Sequence, residues 1–175
     1  MSKLKIFNQS KHELQPYAKH GDSGFDLPAD LSKEGIHLLP FERKLIPTGI
    51  FVEVEYGYEL QVRPKSGNSL KKQFDVKFGT VDSNYRGEVG VIVQNLSPTH
   101  CHINDGELIA QAVITKVEYP DVENVDNLDE LTSSERGEKG FGSTGSTVED
   151  RKATEDKPKS TRKKATLKVE EDEAN

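Results

Sequence analysis

Apolar and polar residues alternate with a two-residue period along many short stretches of this chain, the signature of strands with one buried face. Leu4, Ile6 and Phe7 begin the first such stretch, which Pro16 closes. Phe25, Asp26 and Leu27 make a second, and Ile36, Leu38 and Leu39 a third. Leu45 with Ile46, then Ile50, Val52 and Val54, then Tyr58, Leu60 and Val62 continue the series. Gly35, Pro40, Pro47, Gly49 and Gly57 punctuate it. Strands at roughly 8–12-residue spacing with such punctuation predict a sandwich or barrel rather than βαβ units. Further on, Val113, Thr115 and Val117 alternate against Ala112, Ile114 and Lys116 within the strand-like stretch 108–117, after loops around Pro98 and Asp105-Gly106. One segment breaks the pattern. In 66–73, a capping-type Ser66 precedes good helix formers and predicts one or two helical turns. No longer helical segment and no internal repeat emerges. The expected fold is all-β, a jelly roll or distorted β-barrel with one short helical turn, a closing C-terminal loop and a disordered tail.

The segment 79–95 holds the densest chemistry. Val89, Val91 and Val93 form one apolar arm, Gly79 to Val81 the other, and the polar knuckle between them carries Asp82, Asn84, Tyr85 and Arg86. Asp82-Ser83-Asn84 with Gly87 behind is turn chemistry, with Gly87 expected to supply positive φ. The segment therefore reads as a hairpin. It is either an ordinary polar turn or a stiff mount for a carboxylate and an aromatic ring.

Composition narrows the setting. The 175 residues suit one domain, yet only 33% are apolar, 31% are charged and Trp is absent. That is lean for a monomer, so part of the chain is disordered or another subunit completes the core. A net charge of -6 gives no reason to expect nucleic-acid binding by the core. The single Cys101 excludes an internal disulfide and fits a reducing compartment; among Thr99, His100 and His102 it sits in a loop-like stretch and reads as a bystander. No apolar signal-like run opens the chain and none approaches the ~18 residues that span a bilayer, so a cytoplasmic protein without membrane association is expected. Residues 121–135 are acidic and loop-like. Residues 146–175 hold eight acidic and eight basic residues and no aromatic, too little apolar surface to offset ordering. The basic middle of that tail, 157–168, is either solvated or a contact for nucleic acid or a partner. The expected organisation is a β domain over 1–145, including an arm at 121–145, and a charged tail over 146–175.

Four further segments carry candidate chemistry. Around Gly21 and Gly24, Asp26 sits among apolar residues, where a carboxylate must be paired, hydrated or near a metal, unless it merely caps a strand. Lys65, Ser66 and Gly67 follow Arg63-Pro64 into the helical turn, and a helix start with a cation and a hydroxyl is either an anion site or a simple cap. Gln111 offers an amide from a strand, to ligand or to solvent. In 136–145, four glycines surround Phe141. Arg136 can pair with phosphate, Phe141 can stack on a flat ring, and Ser143 and Thr144 can bond phosphate oxygens, so this loop is either a linker or a closure over a ligand. Together these groups suit hydrolysis of a nucleoside polyphosphate. No G-x-x-x-x-G-K-[ST] loop occurs, which excludes the usual ATPase route.

Five segments in this order, with V-D-S-N-Y-R-G-E-V and F-G-S-T-G among them, make the chain resemble the homotrimeric dUTP diphosphatases (dUTPases) over 1–145. The resemblance implies a Mg2+-dependent enzyme that converts dUTP to dUMP and pyrophosphate by water attack on the α-phosphorus. It would thereby limit uracil in DNA and supply dUMP for dTMP synthesis. It implies that Asp82 orients and deprotonates the water. Tyr85 would lie under the deoxyribose and exclude a 2′-hydroxyl, Asn84 would also bind substrate, and hairpin backbone groups would read the uracil edge in a pocket that rejects thymine and cytosine. Asp26 would hold the Mg2+ through water. Lys65, Ser66, Gly67 and Gln111 would take the phosphates, Arg136 the γ-phosphate, and Phe141 would stack on uracil. Gly142, Ser143 and Thr144 would close over the chain. Each site would be shared between the subunits of a homotrimer. Lys65 stands where the family usually has Arg, Asn68-Ser69 where it has an apolar-small pair, and Lys139 where it has Gly. Two other readings remain beside it: a nucleotide-gated regulatory binding protein on the same scaffold, and a dCTP deaminase, which shares the fold.

Overall fold

The computed structural model describes residues 3–134 and Gly137. Arg136, Phe141, Gly142, Ser143 and Thr144, the closing loop they form, and the tail 146–175 lie outside the described residues. The chain divides after Asp121 into two units. The first is all-β, as expected, with eleven strands and one short helix. In order these are β1 (Leu4–Asn8), β2 (Phe25–Pro28), β3 (Ile36–Leu38), β4 (Arg43–Ile46), β5 (Ile50–Val54) and β6 (Tyr58–Pro64). Helix α1 (Ser66–Lys71) follows, then β7 (Phe74–Val76), β8 (Gly79–Val81), β9 (Val91–Asn95), β10 (Cys101–Ile103) and β11 (Leu108–Lys116). The second unit holds, among its described residues, a single 3-10 turn at Leu128–Glu130, which Glu130 caps by accepting from Asn127 N at 2.9 Å.

Four antiparallel ladders assemble the first unit: β1-β5, β10-β3, β2-β11-β6-β8 and β4-β9-β7. Period-two patterning decides which side of each is buried. Ile50, Val52 and Val54 of β5 face inward, as do Val91 and Val93 of β9, and they meet Leu27, Leu60, Ile103 and Ile109 in one apolar core. β11 is central to its sheet, with β2 on one side and β6 on the other. Asn95 is a polar residue in that core, 0% exposed. Its amide donates to Thr99 O at 2.7 Å and Leu39 O at 2.9 Å, while Oδ1 accepts from Ser97 N. A buried amide satisfied in this way fixes the β9–β10 turn instead of weakening the core.

Several expectations need correction. The arms of the segment 79–95 do not form a hairpin: β8 pairs with β6, and β9 pairs with β4 and β7. Alternation shows that a stretch is a strand but not which strand it pairs with. The three-residue strands β7 and β10 were not expected, being too short to show a period. Cys101 lies in β10, not in a loop, and burial pushes its thiol pKa up, which leaves it an inert core residue. The first strand ends at Asn8, well before Pro16. Ser66 does not cap α1; Lys65 occupies the N-cap position, with no side-chain capping bond.

Candidate functional site

The sheet register gathers the first group of candidates. Asp26 of β2 lies opposite Gln111 of β11, and Gln111 lies opposite Arg63 of β6. Directly paired residues of antiparallel strands project from the same face, so the three form one polar row. Gly24 makes this possible: a Cβ there would stand 2.1 Å from Ala112 O, so only glycine lets β2 enter this close to β11. Lys65, at the start of α1, reaches back to the row, with Nζ 2.5 Å from Asp26 Oδ2. The Arg63 guanidinium donates from Nε to Gln61 Oε1 at 2.9 Å. Asn68 donates its amide to Leu108 O at 2.9 Å and ties α1 to the start of β11. That contact gives a structural use to a residue where an apolar one is usual. Ser66 and Gly67 are exposed beside Lys65, and a Cβ on Gly67 would meet nothing within 4 Å. No contact within the first unit therefore requires glycine at 67.

The second group is the knuckle 82–90 that crosses from β8 to β9. A tight turn closes it, with Tyr85 N donating to Asp82 O at 3.0 Å. Arg86 Nη1 donates to Ser83 O and Tyr85 O, both at 2.7 Å, and so braces the turn from outside. Gly87 is not among the positive-φ glycines, contrary to expectation. Its role is spatial: a Cβ there would lie 2.2 Å from Tyr85 Oη. The Tyr85 ring folds over Gly87, and its hydroxyl donates to Glu88 O at 3.0 Å. Asp82 and Asn84 are exposed, and the Asp82 carboxylate has no hydrogen bond or ion pair among the described residues.

What holds the knuckle rigid could not be read from its own sequence. Glu88 Oε1 accepts from Thr48 N at 2.9 Å and Gly49 N at 2.7 Å, across 40 and 39 residues of chain. Thr48, 0% exposed, donates its hydroxyl to Val89 O at 2.5 Å, and Val89 N donates to Ile50 O. Charge-assisted bonds of this kind contribute roughly 1.5–3 kcal/mol each. Behind the knuckle is a cavity of about 270 Å3, with Asp82 and Tyr85 at its rim and Val81, Gly90, Leu45 and Ile92 among its walls. That volume lies just below the usual range of ligand pockets.

The register also shows what one chain does not bring together. Val81 pairs with Leu60, so Asp82 lies at the Glu59 end of β6, whereas Lys65 follows its other end. Six residues of strand separate these ends, roughly 20 Å. Asp26, Lys65 and Gln111 form one group of candidates; Asp82, Asn84 and Tyr85 form another.

Asp26 fits the outer sphere of a hydrated cation. It already faces a positive charge, from Lys65, and a lone carboxylate with an amide suits Mg2+ that keeps its waters better than a full protein cage would. A second cluster, His12, Asp30 and Asp105, has ligand-type atoms within 4.8 Å of one another. Lys11 Nζ sits 2.9 Å from Asp105 Oδ2 and His12 Nε2 2.8 Å from Oδ1, which makes it an ion-paired clasp between the segment after β1 and the β10–β11 turn. No helix among the described residues is long and apolar enough to cross a membrane.

The chain is similar in sequence and fold to known proteins. The dUTPase family model matches residues 10–145. The deoxyuridine 5'-triphosphate nucleotidohydrolase of Finegoldia magna is 43% identical over 126 residues, covering 69% of this chain and 87% of the relative. That of Aquifex aeolicus is 48% identical over 111 residues, 62% of this chain and 73% of the relative. Among solved structures, the dUTPase of Staphylococcus bacteriophage 80alpha with dUPNHPP superimposes with a TM-score of 0.72 at 28% identity, covering 82% of this chain and 98% of the other.

Proposed function

Because the chain belongs to the dUTPase family, we propose that it is a dUTP diphosphatase, converting dUTP to dUMP and pyrophosphate. The observation that carries this reading is the Asp82 carboxylate, without a partner among the described residues, on a braced turn that lines a cavity of about 270 Å3. Asp82 accepts a proton from the attacking water and aligns it on the α-phosphorus; no group among the described residues competes for its lone pairs. Tyr85, its hydroxyl held by Glu88 O, presents a ring face to the deoxyribose and leaves no room for a 2′-hydroxyl. Backbone polar groups around the cavity read the uracil edge, and Asn84 on the same turn contributes to substrate binding.

Lys65, Ser66 and Gly67 bind the phosphates, with Gln111 beside them. The open space over Gly67 supports a close approach of phosphate to the backbone. Asp26 would hold a hydrated Mg2+, which would supply neutralisation of the negative charge developing on the phosphates. Arg136, Phe141, Gly142, Ser143 and Thr144 complete the site from the C-terminal arm, Arg136 on the γ-phosphate and Phe141 on the uracil face. Since roughly 20 Å separates Asp82 from Lys65 along β6, the complete site draws its halves from different copies of a homotrimer.

A turnover panel of dUTP, dCTP and dTTP with added Mg2+ tests the reading. Pyrophosphate release from dUTP alone is expected. Ammonia release from dCTP, or no turnover of any of the three, overturns it.

A further inference from the structure

Apolar burial does not hold α1 in place. None of its residues is buried, no side chain caps its start, and its six residues fall well short of the ~12–15 that sustain a helix alone. Polar contacts hold it instead. Asn68 donates to Leu108 O at 2.9 Å, and Ser69 Oγ donates to Asp75 Oδ1 at 3.2 Å. Lys72, which ends the helix, places Nζ 2.8 Å from Glu107 Oε1.

Glu107 is the fixed end of that last contact. Its side chain is 12% exposed, and Oε2 accepts from Asn104 N at 3.0 Å and Asn104 Nδ2 at 3.2 Å. Its backbone carbonyl accepts from Ala29 N at 2.9 Å, just past the end of β2. Oε1 is buried and accepts no well-directed hydrogen bond among the described residues, so the Lys72 ammonium is its compensating charge. Burial by itself raises the Glu107 pKa, but the bonds from Lys72 and Asn104 outweigh it and hold the carboxyl below its ordinary value. A largely buried carboxylate that loses its one cation is strongly disfavoured, which pins Lys72 and with it the end of α1.

Building on the dUTP reading above, we propose that Glu107, acting through Lys72, is a positioning residue that fixes α1 so that Lys65, Ser66 and Gly67 meet the phosphates in register. The turn that carries Glu107 runs directly into β11 and is bonded to the end of β2. One carboxylate thus ties α1 to the two strands that bear Gln111 and Asp26. Misplacing a substrate-holding group by about 1 Å costs up to about 100-fold.

The test is dUTP kinetics, with binding of dUMP and of a non-hydrolysable dUTP analogue, on full-length wild type, Lys72→Met, Lys72→Arg and Glu107→Gln. Lys72→Met and Glu107→Gln are each expected to raise KM for dUTP about 10-fold or more, with kcat nearly unchanged. Affinity for the analogue should fall in step, and affinity for dUMP, with its single phosphate, by less. Lys72→Arg keeps the cation and should stay near wild type. A defect of folding alone lowers kcat with KM in place, or weakens dUMP and the analogue equally; either pattern overturns the inference. If Lys72 were itself a phosphate ligand, releasing it in Glu107→Gln would leave KM unchanged or lower it, and that result also overturns the inference while the proposed activity stands. Wild type without dUTP turnover overturns the activity on which it rests.

Discussion

The Lys65 ammonium lies 2.5 Å from Asp26 Oδ2, so the cation proposed for phosphate and the carboxylate proposed for hydrated metal are paired with each other. Both groups are partly exposed, and such a pair adds little to stability, about 0–1 kcal/mol. Its effect is on binding. Lys65→Ala is expected to raise KM for dUTP by about 10–100-fold, the equivalent of one charge-assisted phosphate contact, with the thermal midpoint nearly unchanged. Asp26→Asn is expected to shift the Mg2+ titration of activity to higher concentration while wild-type rate is approached at saturation. A rightward shift absent from that titration removes Asp26 from the metal's surroundings.

Asp82→Asn keeps the size and exposure of the side chain and removes its basicity. Its kcat is expected to fall by about 10²–10⁴-fold, the usual contribution of a positioned general base. Binding of a non-hydrolysable dUTP analogue should change little. A kcat near that of wild type assigns the base elsewhere.

Glu88 gives the knuckle its rigidity. Glu88→Ala leaves Thr48 N and Gly49 N without their acceptor and is expected to cost roughly 1–3 kcal/mol in chemical denaturation. Glu88→Gln retains a neutral acceptor and should recover part of that loss. If the two variants are equally stable to denaturant, these bonds are not what anchors the turn.

Gly87→Ala places a methyl on the position of the Tyr85 hydroxyl and must rotate the ring away. Selectivity for deoxyribose over ribose should fall, read as the dUTP/UTP ratio of kcat/KM. A ratio equal to that of wild type means that the Tyr85 ring does not face the sugar.

The Asp105 clasp gives a pH signature. The hydrogen bond from Lys11, then that of His12 and the Leu31 N–H, hold the Asp105 carboxyl well below its ordinary range. A carboxylate with a depressed folded-state pKa stabilises above its unfolded value, ~3.9, and this is lost as pH falls through the folded value. Asp105→Asn is therefore expected to lower thermal stability at pH 7, with the gap to wild type narrowing below about pH 4. A constant gap down to pH 2 dissociates the clasp from the acid transition.

Much of the fold was legible because alternation over five or more residues, as in β5 and β9, reports a buried face directly. The strands β7 and β10 are three residues long and offer no period to read. The hairpin expectation failed for a related reason. Gly79 to Val81 and Val91 to Asn95 look like partners because a turn joins them, yet β6 and β4 compete for them across the fold and prevail. The knuckle's polar residues stood out in the sequence as candidate chemistry, and the Asp82 carboxylate makes no hydrogen bond or ion pair among the described residues. Glu88 and Thr48 did not stand out, because their meaning lies in contacts 39 to 41 positions away. Glu88 bonds Thr48 and Gly49; Thr48 bonds Val89.

That β8 and β9 enter different sheets makes the knuckle a rivet. Residues 82–90 join the β2-β11-β6-β8 sheet to the β4-β9-β7 sheet, and Glu88 locks them onto the start of β5. Whatever seats itself on that rivet is coupled to the cohesion of both sheets. At 100 times its Kd, a nucleotide bound there adds about 2.7 kcal/mol to the folded state. A melting curve taken along a nucleotide titration is thus an affinity measurement and a probe of the seam between the sheets.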